Sequence, residues 1–496
     1  MQSAHITAPK AGPRTKSPAA KADPTDPLRQ IDSTADPGRG TANDLLAVGL
    51  VLVVLLAPLP VGSNRGAIWA LWAVLLGAGA ATYLLAIAFA GAQRSFRAAP
   101  VRRWFWVLGA TLLFAVAQTL PIASVVPAWA QALPDAVAQR PASLSLAPSA
   151  SLLAVMRSAT MLLFLFLMIE ASARPGRAQM IGWALFSGVA VYAVWSFALL
   201  LVFGDRYFWG EKTSALGSAT GTFVSHNSFA LFLAIGAVLG LSLILERARV
   251  PRMRHPGGRR RISRASLMTL LLWSMLGVVV AALLATRSQI GVAAGLAGLG
   301  LVWAVTPRGD AKGASGRHRW IGAGLSATAG LAVLALVIFG IPTQAAAPQG
   351  SPEVVAHGDF TAQAWRMVLA RPFAGYGLDA FPAAFELFHR APVSPEFLWE
   401  KAPSTYLGLW VELGVVFGTL PLLAAAGFLS RLIHVLQARR HDLALVVSAV
   451  AALLVVGVHS IADFGIEMQA NQFLLAAVLG LGLARRIVPA RPGAKQ

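Results

Sequence analysis

Apolar residues run through this chain in long, nearly unbroken blocks, without the period-two alternation of half-buried strands. Twelve such blocks fall at about 45–61, 66–90, 104–127, 151–171, 178–203, 227–245, 267–285, 288–306, 320–341, 405–429, 443–461 and 471–484. A block near 20 residues, coiled as a helix, crosses about 30 Å of hydrocarbon and satisfies its own backbone polar groups there. The pattern therefore predicts an all-α fold, a polytopic membrane bundle of about 12 transmembrane helices. Around Arg287 a short polar break parts two blocks, which fits either a tight hairpin or one broken helix.

The polar intervals divide the chain. Residues 1–42, rich in Ala, Pro, Ser, Lys and Asp, read as a disordered tail. The first block opens at Asp44–Leu45 and leads into further blocks instead of a cleavage site, unlike a signal peptide. Helices one to nine are expected over 43–341, a large loop over 342–404, helices ten to twelve over 405–485, and a second tail over 486–496.

Composition agrees, with 56% hydrophobic and 12% charged residues and a mean hydropathy of +0.65. Soluble domains carry about 25% charged residues. A formal charge of +20 raises the question of nucleic acid. With the N-terminus inside, however, 31 of the 41 Lys and Arg residues fall in seven separate cytoplasmic segments. That is the positive-inside pattern, so the charge concerns orientation, and no nucleic-acid partner is expected. Both termini are then cytoplasmic, and the loops 128–150, 204–226 and 342–404 lie outside. The Arg-rich stretch His255–Arg264 reads as an anchor near anionic headgroups. The chain has no cysteine, hence no disulfide or thiolate chemistry. It shows no internal repeat, P-loop, metal-ligand spacing or nucleophile elbow, and neither metal nor cofactor is expected. Gly295, Gly298 and Gly300 suit close helix packing. In the large loop, Phe360, Ala364, Met367 and Val368 have helical spacing, predicting a short helix on the membrane face that ends at Arg371-Pro372.

Six strings carry a resemblance. They are Pro58-Leu-Pro-Val-Gly-Ser-Asn-Arg65, Ala219-Thr-Gly-Thr-Phe-Val-Ser-His-Asn-Ser-Phe-Ala230 and Leu284-Ala-Thr-Arg-Ser-Gln-Ile-Gly291. Further on come Arg371-Pro-Phe-Ala-Gly-Tyr-Gly-Leu-Asp-Ala-Phe381, the segment Glu400–Gly414 with Thr405-Tyr-Leu and Glu412, and His459-Ser-Ile-Ala-Asp-Phe464. In this order they resemble the O-antigen ligases and O-antigen polymerases. That resemblance implies a protein of the bacterial inner membrane, acting in lipopolysaccharide or other surface-polysaccharide biosynthesis as a glycosyltransferase. The donor would be a polyprenyl-diphosphate-linked glycan, and the acceptor a sugar hydroxyl of a glycolipid or growing glycan on the periplasmic side. In such chemistry arginines steady the departing diphosphate and a loop histidine takes the acceptor's proton. The sequence departs from the family at three positions: His226 and Gln289 replace arginines, and Pro403 replaces the histidine.

The candidate diphosphate- or substrate-binding residues are His226, Arg287, Arg157, Arg366, Asn227 and Gln289. His226 at a helix N-terminus would favour an anion; the alternative is a neighbour of a helix cap, with Asn227 as the cap. Arg157 within a span would be functional, or would snorkel to the interface; Glu170 on the same span reads as interfacial. Arg287 replaces the charge missing at Gln289 only if its turn is irregular, because two helical positions face nearly opposite ways. Arg366 would meet diphosphate or headgroups, and Arg371 headgroups. His357 and His389 are the remaining loop candidates for the base. His459 and Asp463 would pair structurally, and Tyr406, Trp399 and Trp410 would anchor at the interface. Two alternatives to an active transferase stand: an inactive relative that binds lipid-linked glycan or an assembly partner, and a membrane transporter.

Overall fold

The computed structural model describes residues 29–32, 37–89, 96–125, 142–212, 215–249, 264–306, 352–391, 393, 399–439, 443–484 and 486–489. The block expected at 320–341 and the Arg-rich stretch 255–263 lie outside these residues. Among the described residues, eight helices precede the large loop: α1 Pro37–Leu56, α2 Gly66–Phe89, α3 Arg102–Thr119, α4 Pro148–Ala171, α5 Pro175–Phe197, α6 His226–Arg249, α7 Arg264–Ala285 and α8 Gln289–Val305. The loop holds α9 Pro352–Ala370 and α10 Phe381–Phe388, and α11 Thr405–Ala438, α12 Ala444–His459 and α13 Gln469–Leu483 follow. Two small strand pairs are present among the described residues: β1 Arg29–Asp32 beside β4 Arg486–Pro489, and the hairpin β2 Arg206–Tyr207 with β3 Gly210–Glu211.

Among the described residues, six helical segments are long and apolar enough to cross a membrane: α2, α4, α5 with its extension to Val202, α6, α7 and α11. The Thr41–Leu56 part of α1 and helices α8, α12 and α13 are apolar but shorter. This is a membrane-embedded helix bundle. Helix α3 stops at Thr119 because Leu120, ahead of Pro121, is extended (ψ 152°).

Nearly all of the apolar window of α6 is buried, as expected of a helix that is hydrophobic all round. Helices α5, α7, α8 and α12 surround it. Lipid supplies no hydrophobic drive between helices, so close approach through small residues matters. A Cβ on Gly240 would collide with the Phe186 ring of α5, and one on Gly298 of α8 would lie 2.8 Å from Val238 of α6. Gly295 is buried in the same seam and Gly300 half-buried.

The break at Arg287 separates two helices. Arg287 has φ +57°, and Ser288 starts α8 by accepting the Gly291 N–H at 3.0 Å. Because α7 packs on α5 and α6 while α8 packs on α6 and α12, the pair splays around α6 and barely touches beyond the turn.

One end of the bundle is closed by carboxylates on backbone donors. Glu170 accepts the N–H groups of Arg97 and Ala98 at 2.5 and 3.1 Å, and Glu246 accepts those of Leu443 and Ala444 at 3.0 and 2.7 Å. Glu170 is thus buried, at 2% exposure, and not interfacial as expected. Negative charge at a helix start meets both the free N–H groups and the dipole.

At the other end the large loop has its own core of Phe360, Met367, Val368, Tyr376, Phe381 and Phe385. The helix expected at Phe360–Ala370 is present and longer. Its apolar face is buried against α10 and α11 instead of lying on a membrane surface.

Helix α11 is broken one-third along, where Gly414 adopts φ +70° and ψ 168°. The loop segment 372–377 fills the break: Tyr376 and Gly377 donate to the Val411 and Glu412 carbonyls at 3.0 and 2.9 Å, and Val415 donates to Pro372 O at 2.6 Å. Gln118 of α3 adds bonds from Nε2 to Ala374 O (2.7 Å) and Glu412 O (2.9 Å). The backbones meet so closely that a Cβ on Gly375, itself at φ +62°, would lie 2.6 Å from Glu412 C.

Candidate functional site

Arg157 lies in the third turn of α4, with its side chain 7% exposed. Its guanidinium stacks 4.2 Å from the centre of the Trp69 ring, and Nη2 is 3.9 Å from Asp379 Oδ1. Nε and Nη1 are buried and make no hydrogen bond among the described residues. Snorkelling is therefore excluded; the side chain points into protein.

Asp379 sits just before α10 at φ +61°, and Lys401 joins it through a short charge-assisted hydrogen bond. Lys401 Nζ also lies 3.2 Å from Glu467 Oε2, in the turn between α12 and α13. Burial pulls the Lys401 ammonium toward neutrality, but the Glu467 and Asp379 carboxylates outweigh it and hold its pKa above the ordinary 10.5. Glu412, 8% exposed and next to the break in α11, is the third carboxylate of the cluster. The site thus gathers two cations and three carboxylates from α4, α11, the loop and the α12–α13 turn. Buried charge of this kind is stable only when paired, and in a membrane bundle it marks a functional site by default. The uncommitted Arg157 donors suit an oxyanion.

The six strings meet at this end. Gly62 of the first packs on Phe223 of the second, whose Ala219 N–H donates to Ala285 O of the third at 2.8 Å. Asn227 Nδ2 donates to Asp463 of the sixth at 2.9 Å. Thr405 N–H and Ser404 Oγ of the fifth donate to Ser460 O at 3.2 and 2.9 Å, and the fourth is stitched to the fifth through the α11 break.

The candidate residues are divided among settings. His226 is the half-buried first residue of α6. Asn227 does not cap that helix: Ser225 Oγ accepts the Ser228 N–H at 3.3 Å, while Asn227 is held by Asp463. Arg287 is exposed in its irregular turn, so the opposite-face argument against it lapses. Its guanidinium lies beside Gly217 and its charge reaches Asp205. Gln289, also exposed, opens α8, and Arg366 is on the exposed face of α9. Arg371 is buried under the loop instead of facing headgroups: Nη1 donates to Leu144 O at 3.3 Å and the guanidinium stacks 4.9 Å from the Tyr376 ring. Burial lowers its pKa.

Among the base candidates, the side chain of His357 lies outside the described residues. His389 ends α10 with Nε2 3.0 Å from Val393 O. Pro403 is buried. His459 Nδ1 is 3.8 Å from Asp463, and Nε2 is 3.1 Å from Asn227 O, a structural pairing that ties α12 to α6. Trp399 packs on Phe360, ring centres 4.3 Å apart, inside the loop core instead of anchoring at an interface. Tyr406 donates to Gly457 O at 2.7 Å and Trp410 to Thr419 Oγ1 at 3.1 Å.

A second cluster orders the loop 204–218. Asp205, at φ +54°, accepts from Lys212 Nζ at 2.8 Å and Gly217 N–H at 2.6 Å. Burial pushes its carboxyl up, but the Gly217 N–H, Lys212 and Arg287 together hold it below its ordinary 3.8.

Sequence reasoning missed Lys401, Asp379, Glu412, Glu467 and Trp69 as a group. Asp379, Lys401 and Glu412 lie within the strings, but only the folded chain brings them beside Arg157. No model of a known protein family matches the chain, and no curated protein matches it either.

Proposed function

We propose that this protein is a transferase of surface-polysaccharide assembly, embedded in a bacterial inner membrane with the large loop on the periplasmic side. It takes a polyprenyl-diphosphate-linked glycan and passes it to a sugar hydroxyl, as the O-antigen ligases and polymerases do. The observation that carries this reading is the buried Arg157–Asp379–Lys401–Glu467 cluster, in which Asp379 and Lys401 belong to two of the family-like strings. Pairing of β1 with β4 supports termini on one side, and the positive-inside split supports the cytoplasm as that side. The bundle proposed crosses the membrane about 12 times.

In the reaction proposed, Arg157 and Lys401 meet the diphosphate. The bond from the anomeric carbon to the diphosphate oxygen breaks, and its electron pair leaves with the diphosphate. The acceptor oxygen bonds to the same carbon and its proton passes to Glu467. No metal or nucleotide is called for, since the carrier is already activated.

Two observations favour a second reading, binding without transfer: the histidine position is the buried Pro403, and His389 is turned to a backbone carbonyl. A single experiment separates the two. Purified protein in nanodiscs is given a radiolabelled polyprenyl-diphosphate glycan and an acceptor glycolipid. Transfer that Arg157→Ala and Lys401→Ala abolish, with the proteins still folded, supports the enzyme. Retention of unconsumed donor supports the binding protein. If neither binding nor transfer depends on Arg157 or Lys401, the proposal fails.

A further inference from the structure

The chain also has a cavity outside the charge cluster. Helix α5 ends in a π-helical turn, Ala198–Val202, in which Phe203 N–H donates five residues back to Ala198 O at 3.0 Å. Such turns recur at functional sites. Between this turn and the β2–β3 hairpin lies a pocket of about 370 Å³, within the range of small-ligand sites. Its walls include Trp195, Phe203, Tyr207 and Phe208, with Arg206 and Glu211 beside them. The rings are mutually set, Trp195 lying 5.9 Å from Phe203 and 5.8 Å from Phe208. Arg206 Nη2 and Glu211 Oε1 are 2.9 Å apart, and the two side chains are 56% and 83% exposed.

The hairpin is fixed in place. Trp209 Nε1 donates to Leu59 O at 2.7 Å, and Lys212 Nζ donates to Ser218 O at 2.5 Å and to Asp205. The pocket is thus pre-formed, and its chemistry selects an occupant. Flat aromatic faces receive the C–H face of a pyranose ring. An Arg–Glu pair offers donors and acceptors side by side with no net charge, which matches vicinal hydroxyls. A phosphate headgroup would gain from Arg206 little more than Glu211 takes back, and an acyl chain would have no use for the pair.

We infer that the pocket at the α5 terminus is a carbohydrate subsite for a neutral sugar, built from Trp195, Tyr207, Phe208, Arg206 and Glu211. It rests on the proposed function only for the source of that sugar, a unit of the glycan being assembled.

The test is saturation-transfer difference NMR on the full chain in nanodiscs, with methyl glycosides of hexoses, 6-deoxyhexoses and N-acetylhexosamines. At least one glycoside is expected to be saturated at its ring C–H protons. Phe208→Ala and the surface change Glu211→Gln should each weaken binding about fivefold to tenfold, whereas Phe89→Ala, exposed on α2, should not. The inference is overturned if no glycoside is saturated, if both pocket variants bind as well as the parent, or if added dihexanoylphosphatidylglycerol takes the pocket and the sugars do not. Donor capture through Arg157 is read separately, so sugar binding without donor binding defeats the proposed function and leaves the subsite standing. Donor binding with no sugar response does the reverse.

Discussion

Replacing Lys401 by methionine keeps its length and removes its charge, leaving Asp379, Glu467 and Glu412 close together without the ammonium they share. At 3.2 Å from Glu467, with an effective dielectric constant of 20, the gross attraction is about 5 kcal/mol. Breaking a buried pair by deleting one partner costs about 3–5 kcal/mol net, and that is the loss expected at pH 7.5. Steric trapping in bicelles measures it, because the free energy is then read without leaving the bilayer. The loss should shrink in acid, where protonated carboxylates need no cation, and Asp379→Asn in the same background should recover part of it. The alkaline limb has the opposite sense. The folded pKa of Lys401 lies above its unfolded 10.5, so its stabilisation is complete below that value. It is lost only as pH rises through the folded pKa. A cost under about 1 kcal/mol, typical of an exposed pair, or a deficit that grows in acid, would refute the reasoning.

Other expectations follow from the same structure. Gly375→Ala should cost about 1–2 kcal/mol for the left-handed backbone and about 1–3 kcal/mol for overpacking against Glu412. Gly77→Ala, with nothing within 4 Å, serves as its unaffected control in the same unfolding assay. Asp205, held below 3.8, stabilises its loop above that pH and stops doing so as pH falls through the folded value. Hydrogen exchange of residues 204–218 should show this step in the parent and lose it in Asp205→Asn. His389→Ala should leave transfer or donor binding within about twofold, since its ring nitrogen already faces the Val393 carbonyl and the loop core supplies most of the local packing; complete loss would restore His389 as the base. Glu246→Gln should weaken the start of α12 by about 0.5–2 kcal/mol, read as faster exchange at Leu443 and Ala444.

Helices were legible because burial in lipid demands long apolar runs, and Pro121 and Pro58 explain where α3 and α1 stop short of theirs. The loop helix showed its inner face in Phe360, Ala364, Met367 and Val368, but periodicity cannot say whether protein or membrane covers that face. Arg157 was marked by its isolation in an apolar run. Its partners were not, because Asp379, Lys401 and Glu467 lie 222, 244 and 310 positions away along the chain, and only the closing of the bundle makes them neighbours. Arg371 misled because an arginine beside Pro372 reads as a surface turn, whereas the stitching of 372–377 into α11 carries it under the loop. The break in α11 was invisible for a similar reason: Gly414 alone is unremarkable in an apolar helix.

That break has a consequence for biogenesis. The carbonyls of Val411 and Glu412 and the N–H of Val415 have partners supplied by the loop. Hydrocarbon offers no substitute, since unsatisfied backbone groups there cost several kcal/mol each. On release from the insertion machinery, the segment 405–438 must therefore begin as a continuous helix and open only when 372–377 docks. The loop acts as a folding template for the helix that follows it. A chain whose loop is delayed or cleaved would carry a straight, wrongly closed α11 and leave Glu412 turned away from its ammonium.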